Sequence, residues 1–558
     1  MKTRPQTAMT IPPHLGCKDL SVRFPEHANA TLKQITLSIK EGEKVLFLGP
    51  SGCGKSTLLS VLSGIIPRTI EADIAGSVYA PAQNGVMFQD PDSQFCMLRV
   101  DEEIAFSLEN RSVPRQEMDT IIDQVKQLAG IEVPGHTEIQ TLSGGMKQRL
   151  ALACLLALEP DVLFFDEPTA QLDPAGQQEI FQCLHDYAMQ SDKTFVFIEH
   201  HLDGLIEWMD KVFLFNETGQ LIVADTPREI FTTYETIIEE MGIWKPQLFP
   251  ATWDEIITQK EHPTGLNLIQ VVQNCSRNIL PAPTPSPLFQ VMDLVLGYGK
   301  SLILKDINFT IEPGEWVAIV GKNGSGKSTL LKALALLEKE KAGSLAFLCK
   351  KLTQWSEKEL YEKLGFVFQN PEWQFVTQTV YDEIAFSGKL RSWEPSQLKE
   401  ATEQLLKAFR LEHVASHHPF TLSQGQKRRL SVATMLLLDQ QALLLDEPTF
   451  GQDAQTTEEL MKVLKERQQQ GTGIVMVTHD MNIVSRYAGR VLLLAENHVP
   501  FNGRPHDLFT QTHLCTQHDI VPPLGYRLIQ AREENRCRTA NQGGEQPHDS
   551  DVFTLSSH

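Results

Sequence analysis

Two stretches of this chain carry residues in an order that can hold a polyphosphate. One is Gly49, Pro50, Ser51, Gly52, Cys53, Gly54, Lys55, Ser56 and Thr57. The other is Gly321, Lys322, Asn323, Gly324, Ser325, Gly326, Lys327, Ser328 and Thr329. Both fit the pattern G-x-x-x-x-G-K-[S/T]. The glycines let the backbone curl until successive N–H groups converge on an anion. Each lysine brings a mobile positive charge to the β- and γ-phosphates, and the hydroxyl of Ser56 or Ser328 can ligate Mg²⁺.

Paired acids form the second element of chemistry. Val162-Leu163-Phe164-Phe165 runs into Asp166-Glu167, and Leu443-Leu444-Leu445 runs into Asp446-Glu447. A continuous apolar run suits a central parallel strand, whose C-terminal end opens on the ligand crevice. There the first acid can serve the metal shell, and the second can accept a proton from water attacking the γ-phosphate in line. Two further apolar runs end in His200 and His479, placing an imidazole where it can reach the γ-phosphate or that water.

The elements that must position these groups come in duplicate. Gln89 answers to Gln369, Ser143 to Ser423 and Asp166 to Asp446, each at an offset of 280, while the phosphate loops lie 272 apart. About eight residues are therefore inserted between loop and glutamine in the second copy. Each loop follows an apolar strand and opens a helix, which sets the phosphate at a helix N-terminus. The spacing predicts an N-terminal tail over 1–14, repeats over 15–244 and 288–513, a linker over 245–287 ending in alternating prolines, and a polar tail over 514–558.

At 558 residues the chain is too long for one core, and 41% hydrophobic with 22% charged residues is ordinary globular composition. A net charge of −20 argues against a broad nucleic-acid footprint. Nine scattered cysteines show no C-x-x-C pair, which indicates neither zinc module nor disulfide framework. No signal peptide and no membrane-spanning run is expected.

These residues resemble the nucleotide-binding domains of ABC ATPases over nearly the whole chain. The distinguishing match is Leu142-Ser143-Gly144-Gly145-Met146 and Leu422-Ser423-Gln424-Gly425-Gln426, which departs from the family signature at Met146 and Gln424. The resemblance implies two tandem α/β ABC-type P-loop NTPase domains, each with a RecA-like core, an antiparallel β subdomain and a helical subdomain. It implies that ATP and Mg²⁺ are bound in an internal pseudo-dimer, each signature closing over the other half's nucleotide. Lys55, Gln89, Asp166, Glu167 and His200 would then work with Ser423 and Gly425. Lys327, Gln369, Asp446, Glu447 and His479 would work with Ser143 and Gly145. Glu167, Glu447, His200 and His479 take the catalytic roles, while Ser56, Gln89, Asp166, Ser328, Gln369 and Asp446 face the metal. Phe24 and Tyr298 stand where an aromatic stacks on adenine, and Asp173 and Asp453 match the loop linking the sites.

The segments Gln89-Asp90-Pro91-Asp92-Ser93-Gln94-Phe95 and Gln369-Asn370-Pro371-Glu372-Trp373-Gln374-Phe375 narrow the resemblance. So does Ile198-Glu199-His200-His201-Leu202-Asp203. They are similar to the ATPases of energy-coupling-factor (ECF) importers, which take up vitamins, their precursors or metal ions. The fused form resembles systems for thiamin-precursor-type substrates. This implies a peripheral motor on the cytoplasmic face of the cell membrane, partnered by an integral-membrane scaffold and a substrate-binding subunit, with no nucleic acid. A tandem ATPase of sugar or peptide import, or a soluble ribosome- or DNA-associated ABC protein, are the alternatives.

Overall fold

The computed structural model describes residues 14–25, 30–169, 172, 174–276, 286–299, 301–449 and 452–543. Residues 1–13, Asp173, the proline run 281–285 and the end of the chain from 544 lie outside the described residues. The chain packs as two compact units. Met1–Pro250, Asn370–Leu437 and Thr449–Val463 form one, and Ala251–Gln369, Leu438–Pro448 and Leu464–His558 form the other. Their limits do not follow the repeats, since the helical segment after Gln369 belongs to the first unit.

In the first unit, β1 (Leu15–Arg23), β2 (Leu32–Ile39) and β4 (Asp73–Tyr79) make an antiparallel sheet in the order β2-β1-β4. The other strands are β3 (Lys44–Leu48), β5 (Asn84–Met87), β6 (Val162–Asp166), β7 (Thr194–Ile198), β8 (Lys211–Phe215) and β9 (Leu221–Asp225). They form a six-stranded sheet in the order β5-β6-β7-β3-β8-β9, parallel except for β9. Strands β6 and β7 are buried along their apolar length, and Phe165, Phe195 and Phe197 stack across them. That order sets the ends of β6, β7 and β3 side by side. Those ends carry the acid pair, the histidine and the phosphate loop.

Helix Lys55–Leu62 seats Leu58, Leu59 and Leu62 in the core beneath the loop. The helical part of the first repeat contains Val100–Asn110, Arg115–Leu128 and Gly144–Ala157. Met118, Ile122 and Val125 give Arg115–Leu128 one buried stripe. Helix Gly144–Ala157 buries apolar side chains around most of its circumference, as a central helix must. The first unit also contains the second repeat's corresponding helices, Val380–Leu390, Pro395–Ala408 and Gln424–Leu436.

The second unit repeats the sheet plan. Strands β10 (Phe289–Leu296), β11 (Leu304–Ile311), β13 (Ala342–Phe347) and β14 (Lys350–Lys351) form an antiparallel sheet ordered β11-β10-β13-β14. Strands β12 (Trp316–Val320), β15 (Leu364–Val367), β16 (Ala442–Asp446), β17 (Gly473–Val477), β18 (Arg490–Ala495) and β19 (His498–Gly503) form the six-stranded sheet β15-β16-β17-β12-β18-β19. The longer loop-to-glutamine stretch of the second repeat is occupied by β14 and a helix, Glu357–Lys363, started by a Ser356/Glu359 capping box. The first repeat has instead a kinked segment at Ile65–Arg68, with Ile66 outside helical geometry.

Within 245–287 the chain forms helices Trp253–Thr258 and Pro263–Ser276, and within 514–558 it forms helix Leu524–Gly543. That helix buries Tyr526 and Leu528, and Arg532 Nε donates to the Ile256 carbonyl at 3.0 Å. Gly525 permits the approach to Pro263–Ser276, since a Cβ there would sit 2.3 Å from the Leu268 carbonyl oxygen. Few apolar residues suffice because the remaining anchors are polar contacts to backbone distant in sequence. Among the described residues no helix is long and apolar enough to cross a membrane.

Candidate functional site

Each phosphate loop leaves the end of a central strand and turns sharply into its helix. Gly54 and Gly326, the residues before the lysines, have φ of 99° and 96°, a left-handed conformation that disfavours any side chain. Lys55 and Lys327 are buried, and their ammonium groups are caged by loop carbonyls. Lys55 Nζ donates to Gly49 O at 2.7 Å and Pro50 O at 2.8 Å, and Lys327 Nζ to Gly321 O at 2.8 Å and Lys322 O at 2.9 Å. The loop thus encloses a cation whose natural complement is a phosphate oxygen.

The neighbouring strand ends complete the cluster twice over. Ser56 Oγ donates to Asp166 Oδ1 at 3.0 Å, and Ser328 Oγ to Asp446 Oδ1 at 3.1 Å. His200 Nε2 lies 3.1 Å from Glu167 Oε1, and His479 Nε2 lies 3.2 Å from Glu447 Oε1. Gln89 Nε2 donates to Glu167 Oε2 at 2.8 Å. In the second unit a cavity of about 330 Å³ is lined by Lys327, Ser328, Gln369, Glu447 and His479 among others. Glu167 and Glu447 adopt φ of 50° and 52°, unusual for glutamate, with their backbone N–H groups held by Ile198 O and Val477 O. The same left-handed turn occurs in both copies.

The electrostatics separate the two acids of the first site. Burial, followed by the charge of Glu167, pushes Asp166 up to about 6 despite the Ser56 hydrogen bond. Burial also works to raise Glu167, but the hydrogen bond and charge of His200, with Lys55, outweigh it and hold that carboxyl below its ordinary value. A glutamate kept ionised beside a carboxylate that protonates more readily suits a proton acceptor next to a metal ligand. The hydroxyl, carboxylate and amide oxygens of Ser56, Asp166 and Gln89 are hard donors of the kind Mg²⁺ takes.

The signature residues start helices. Ser143 Oγ accepts from Met146 N at 3.3 Å, and Ser423 Oγ accepts from Gln426 N at 3.3 Å. Gln426 Oε1 also accepts from Ser423 N at 3.0 Å, a capping box that the Met146 thioether cannot reproduce. Gln452 Nε2 donates to Gly425 O at 3.3 Å. Tyr298 is half exposed, whereas Phe24 is partly buried against the core of the first unit. Asp453 caps the next helix by accepting from Thr456 N at 2.8 Å, and Asp173 lies outside the described residues.

Two features escaped the sequence reading. Glu199 is almost fully buried, and burial pushes its carboxyl up to about 7 against the Thr169 hydrogen bond. Trp244 Nε1, from the end of the first repeat, donates to the Gln452 carbonyl of the second at 3.0 Å, and Gln455 N meets Gly242 O at 3.4 Å. In sequence the first is one polar residue at a strand end, Glu199 where the second repeat has Thr478. Nothing local in sequence signals the second.

Residues 32–170 and 304–450 each match the family model described as ABC transporter. The chain belongs to the ABC transporter ATP-binding proteins. This ABC ATPase binds ATP, contains two ABC domains in tandem, and is the ATPase subunit of a transporter complex. It is 39% identical over 545 residues to the Bacillus subtilis (strain 168) protein named HMP/thiamine import ATP-binding protein YkoD, covering 94% of this chain and 97% of that one. An ABC transporter ATP-binding protein of Streptococcus mutans serotype c is 36% identical over 521 residues, covering 89% and 92%. Among solved structures, cbiO1 from Clostridium perfringens, described as part of the ABC transporter complex cbiONQ, is 32% identical with a TM-score of 0.38. That match covers 44% of this chain and 99% of that one.

Proposed function

We propose that this ABC ATPase is the motor of an ECF-type importer and that its two halves hydrolyse ATP in composite sites. The observation that carries the catalytic reading is the twofold recurrence of one cluster: caged lysine, serine–aspartate pair, and glutamate–histidine pair on a left-handed turn. In the first site, Lys55 exchanges its carbonyl partners for phosphate oxygens, and the loop N–H groups hold the remainder. Glu167, kept ionised, accepts the proton of the attacking water. His200 orients that water or the γ-phosphate, and Gln89 holds the other oxygen of Glu167. Ser56, Asp166 and Gln89 would hold Mg²⁺, which when bound supplies positive charge to the phosphate oxygens. Lys327, Ser328, Gln369, Asp446, Glu447 and His479 take the same parts in the second site.

Signature residues complete each site from the other repeat, Ser423 and Gly425 for the nucleotide at Lys55, and Ser143 and Gly145 for that at Lys327. Support for the first pairing is that the compact unit built on residues 1–250 also contains 370–437, and that Trp244 donates to Gln452 O while Gly242 O accepts from Gln455 N at the start of the following helix. Adenine stacks on Tyr298 in the second site and meets Phe24 in the first. The similarity to a relative named for HMP/thiamine import, along nearly the full length of both chains, supports a vitamin or vitamin-precursor substrate. An integral-membrane scaffold and a small binding subunit would be the partners, placing the motor on the cytoplasmic face of the membrane. Affinity purification from detergent-solubilised membranes tests this. A scaffold and a small membrane subunit should accompany the chain, and recovery with ribosomes or DNA instead contradicts the proposal.

A further inference from the structure

The two sites share their lysine, serine, glutamine, acid pair and histidine, but the position before the histidine is Glu199 in the first repeat and Thr478 in the second. Glu199 is only 2% exposed, and both its oxygens are occupied. Oε1 accepts from the backbone N–H of Thr169 at 3.2 Å and also from its hydroxyl. Oε2 accepts from the backbone N–H of His200 at 2.8 Å. Thr169 is itself fully buried and lies two residues past Glu167, where the chain enters the loop toward Asp173. One carboxylate therefore brackets the end of β7, which carries His200, to the segment leaving β6, which carries Glu167. The side chains so bracketed are the pair that meets at 3.1 Å.

Thr478 does something more local: its Oγ1 accepts from Asp480 N at 3.1 Å, two residues along. The fold itself does not require the acid, since β16 and β17 pair in the same register with threonine at this position as β6 and β7 do with glutamate. A carboxylate buried this deeply, with its full set of donors, is costly to retain unless the contacts it makes are used.

We propose that Glu199 is a positioning residue of the first site, fixing His200 against Glu167 so that this site is pre-organised in a way the second is not. The inference rests on the catalytic reading of Glu167 and His200 given above. With both oxygens taken up by Thr169 and the His200 N–H, Glu199 acts through the segments that carry Glu167 and His200, so its removal lowers turnover without weakening nucleotide binding.

The test uses the full-length ATPase in four forms: wild type, Glu167→Gln, Glu199→Thr and Glu199→Gln. Each is assayed for kcat and KM with Mg-ATP and for amide exchange at residues 199–203 and 478–482. Glu199→Thr should lower kcat about tenfold, the loss of hydrogen bonds to a charged group. KM should stay within about twofold, because the phosphate loop is untouched. Glu199→Gln, which keeps one acceptor for Thr169 but turns an amide toward the His200 N–H, should lower kcat by about threefold. Exchange at the His200 amide should quicken while the 478–482 segment is unchanged. If kcat is unaffected by Glu199→Thr while Glu167→Gln abolishes most turnover, the positioning role is wrong and the catalytic reading stands. A parallel rise in KM, or faster exchange in both segments, would show general loosening and also overturn it. If Glu167→Gln itself leaves turnover intact, the catalytic reading has failed and the positioning role falls with it.

Discussion

A lysine four residues after each signature serine is paired with an acid three residues after Gln89 or Gln369, and the two copies of this pair should differ in strength. Lys147 Nζ lies 2.7 Å from Asp92 Oδ1, and Lys427 Nζ lies 2.6 Å from Glu372 Oε1. Unit charges at these distances attract by about 6 kcal/mol at an effective dielectric of about 20 in both copies, a gross figure that does not discriminate. Exposure does. The Asp92 and Lys147 side chains are 57% and 16% exposed, against 34% and 10% for Glu372 and Lys427. Neutralising the exposed acid by Asp92→Asn should therefore cost about 0.5–1 kcal/mol. Glu372→Gln strands a mostly buried ammonium and should cost about 2–3 kcal/mol. The free energy is local to the signature helix, so hydrogen exchange is the suitable assay. The reporters are the amides of Lys147 and Lys427, which donate to Ser143 O at 2.9 Å and Ser423 O at 2.8 Å. Exchange should quicken about threefold in Asp92→Asn and about 30-fold or more in Glu372→Gln. Adding Lys427→Met to Glu372→Gln should recover at least half of that effect by removing the stranded charge. Equal acceleration in the two halves, or a double variant that merely sums the single ones, would refute the reasoning.

Four further outcomes follow from the same geometry. Asp166 must be ionised to ligate a metal, so Mg-dependent nucleotide affinity of the first site should fall as pH drops through about 6, by about twofold at pH 6 and about tenfold at pH 5. Because its folded-state pKa is raised, the nucleotide-free fold binds the extra proton more readily than the unfolded chain and should gain stability over that same descent. Thermal melts with and without Mg-nucleotide across this range check both signs. Glu167→Gln and Glu447→Gln should each remove the proton acceptor of one site and lower its hydrolysis step by about 100-fold or more, and unequal residual turnover in a steady-state assay would reflect the difference between Glu199 and Thr478. Trp244→Phe keeps an aromatic ring, though a smaller one, and deletes the 3.0 Å bond to Gln452 O, so turnover should fall about fivefold at unchanged nucleotide affinity. A shift confined to affinity would contradict that reading.

What could be read from the residues alone follows from how local each feature is. The phosphate loops, the acid pairs and the histidines are short runs whose neighbours in sequence are also their scaffold, and duplication doubled the signal. The six-stranded order was not readable residue by residue, because it depends on β3 inserting between β7 and β8 across long separations. The left-handed turn at Glu167 and Glu447 is likewise a product of tertiary bonds to Ile198 and Val477. Prolines drew attention to 281–287 and concealed the helices before them, and charged residues concealed helix Leu524–Gly543, whose footing is Tyr526, Leu528 and the Gly525 approach. Glu199 reads in sequence as one more polar residue at a strand end, and only its burial and three donors distinguish it.

The central claim is that each nucleotide is held by both repeats. It is tested most directly by a photoreactive γ-phosphate derivative of ATP bound to a chain whose second phosphate loop is disabled by Lys327→Ala. With only the loop at Lys55 occupied, the label should appear in the peptide bearing residues 49–57 and also in the peptide bearing Ser423. The mirror variant Lys55→Ala should move it to the peptides of Lys327 and Ser143. Label confined to the repeat whose loop is intact would contradict the account.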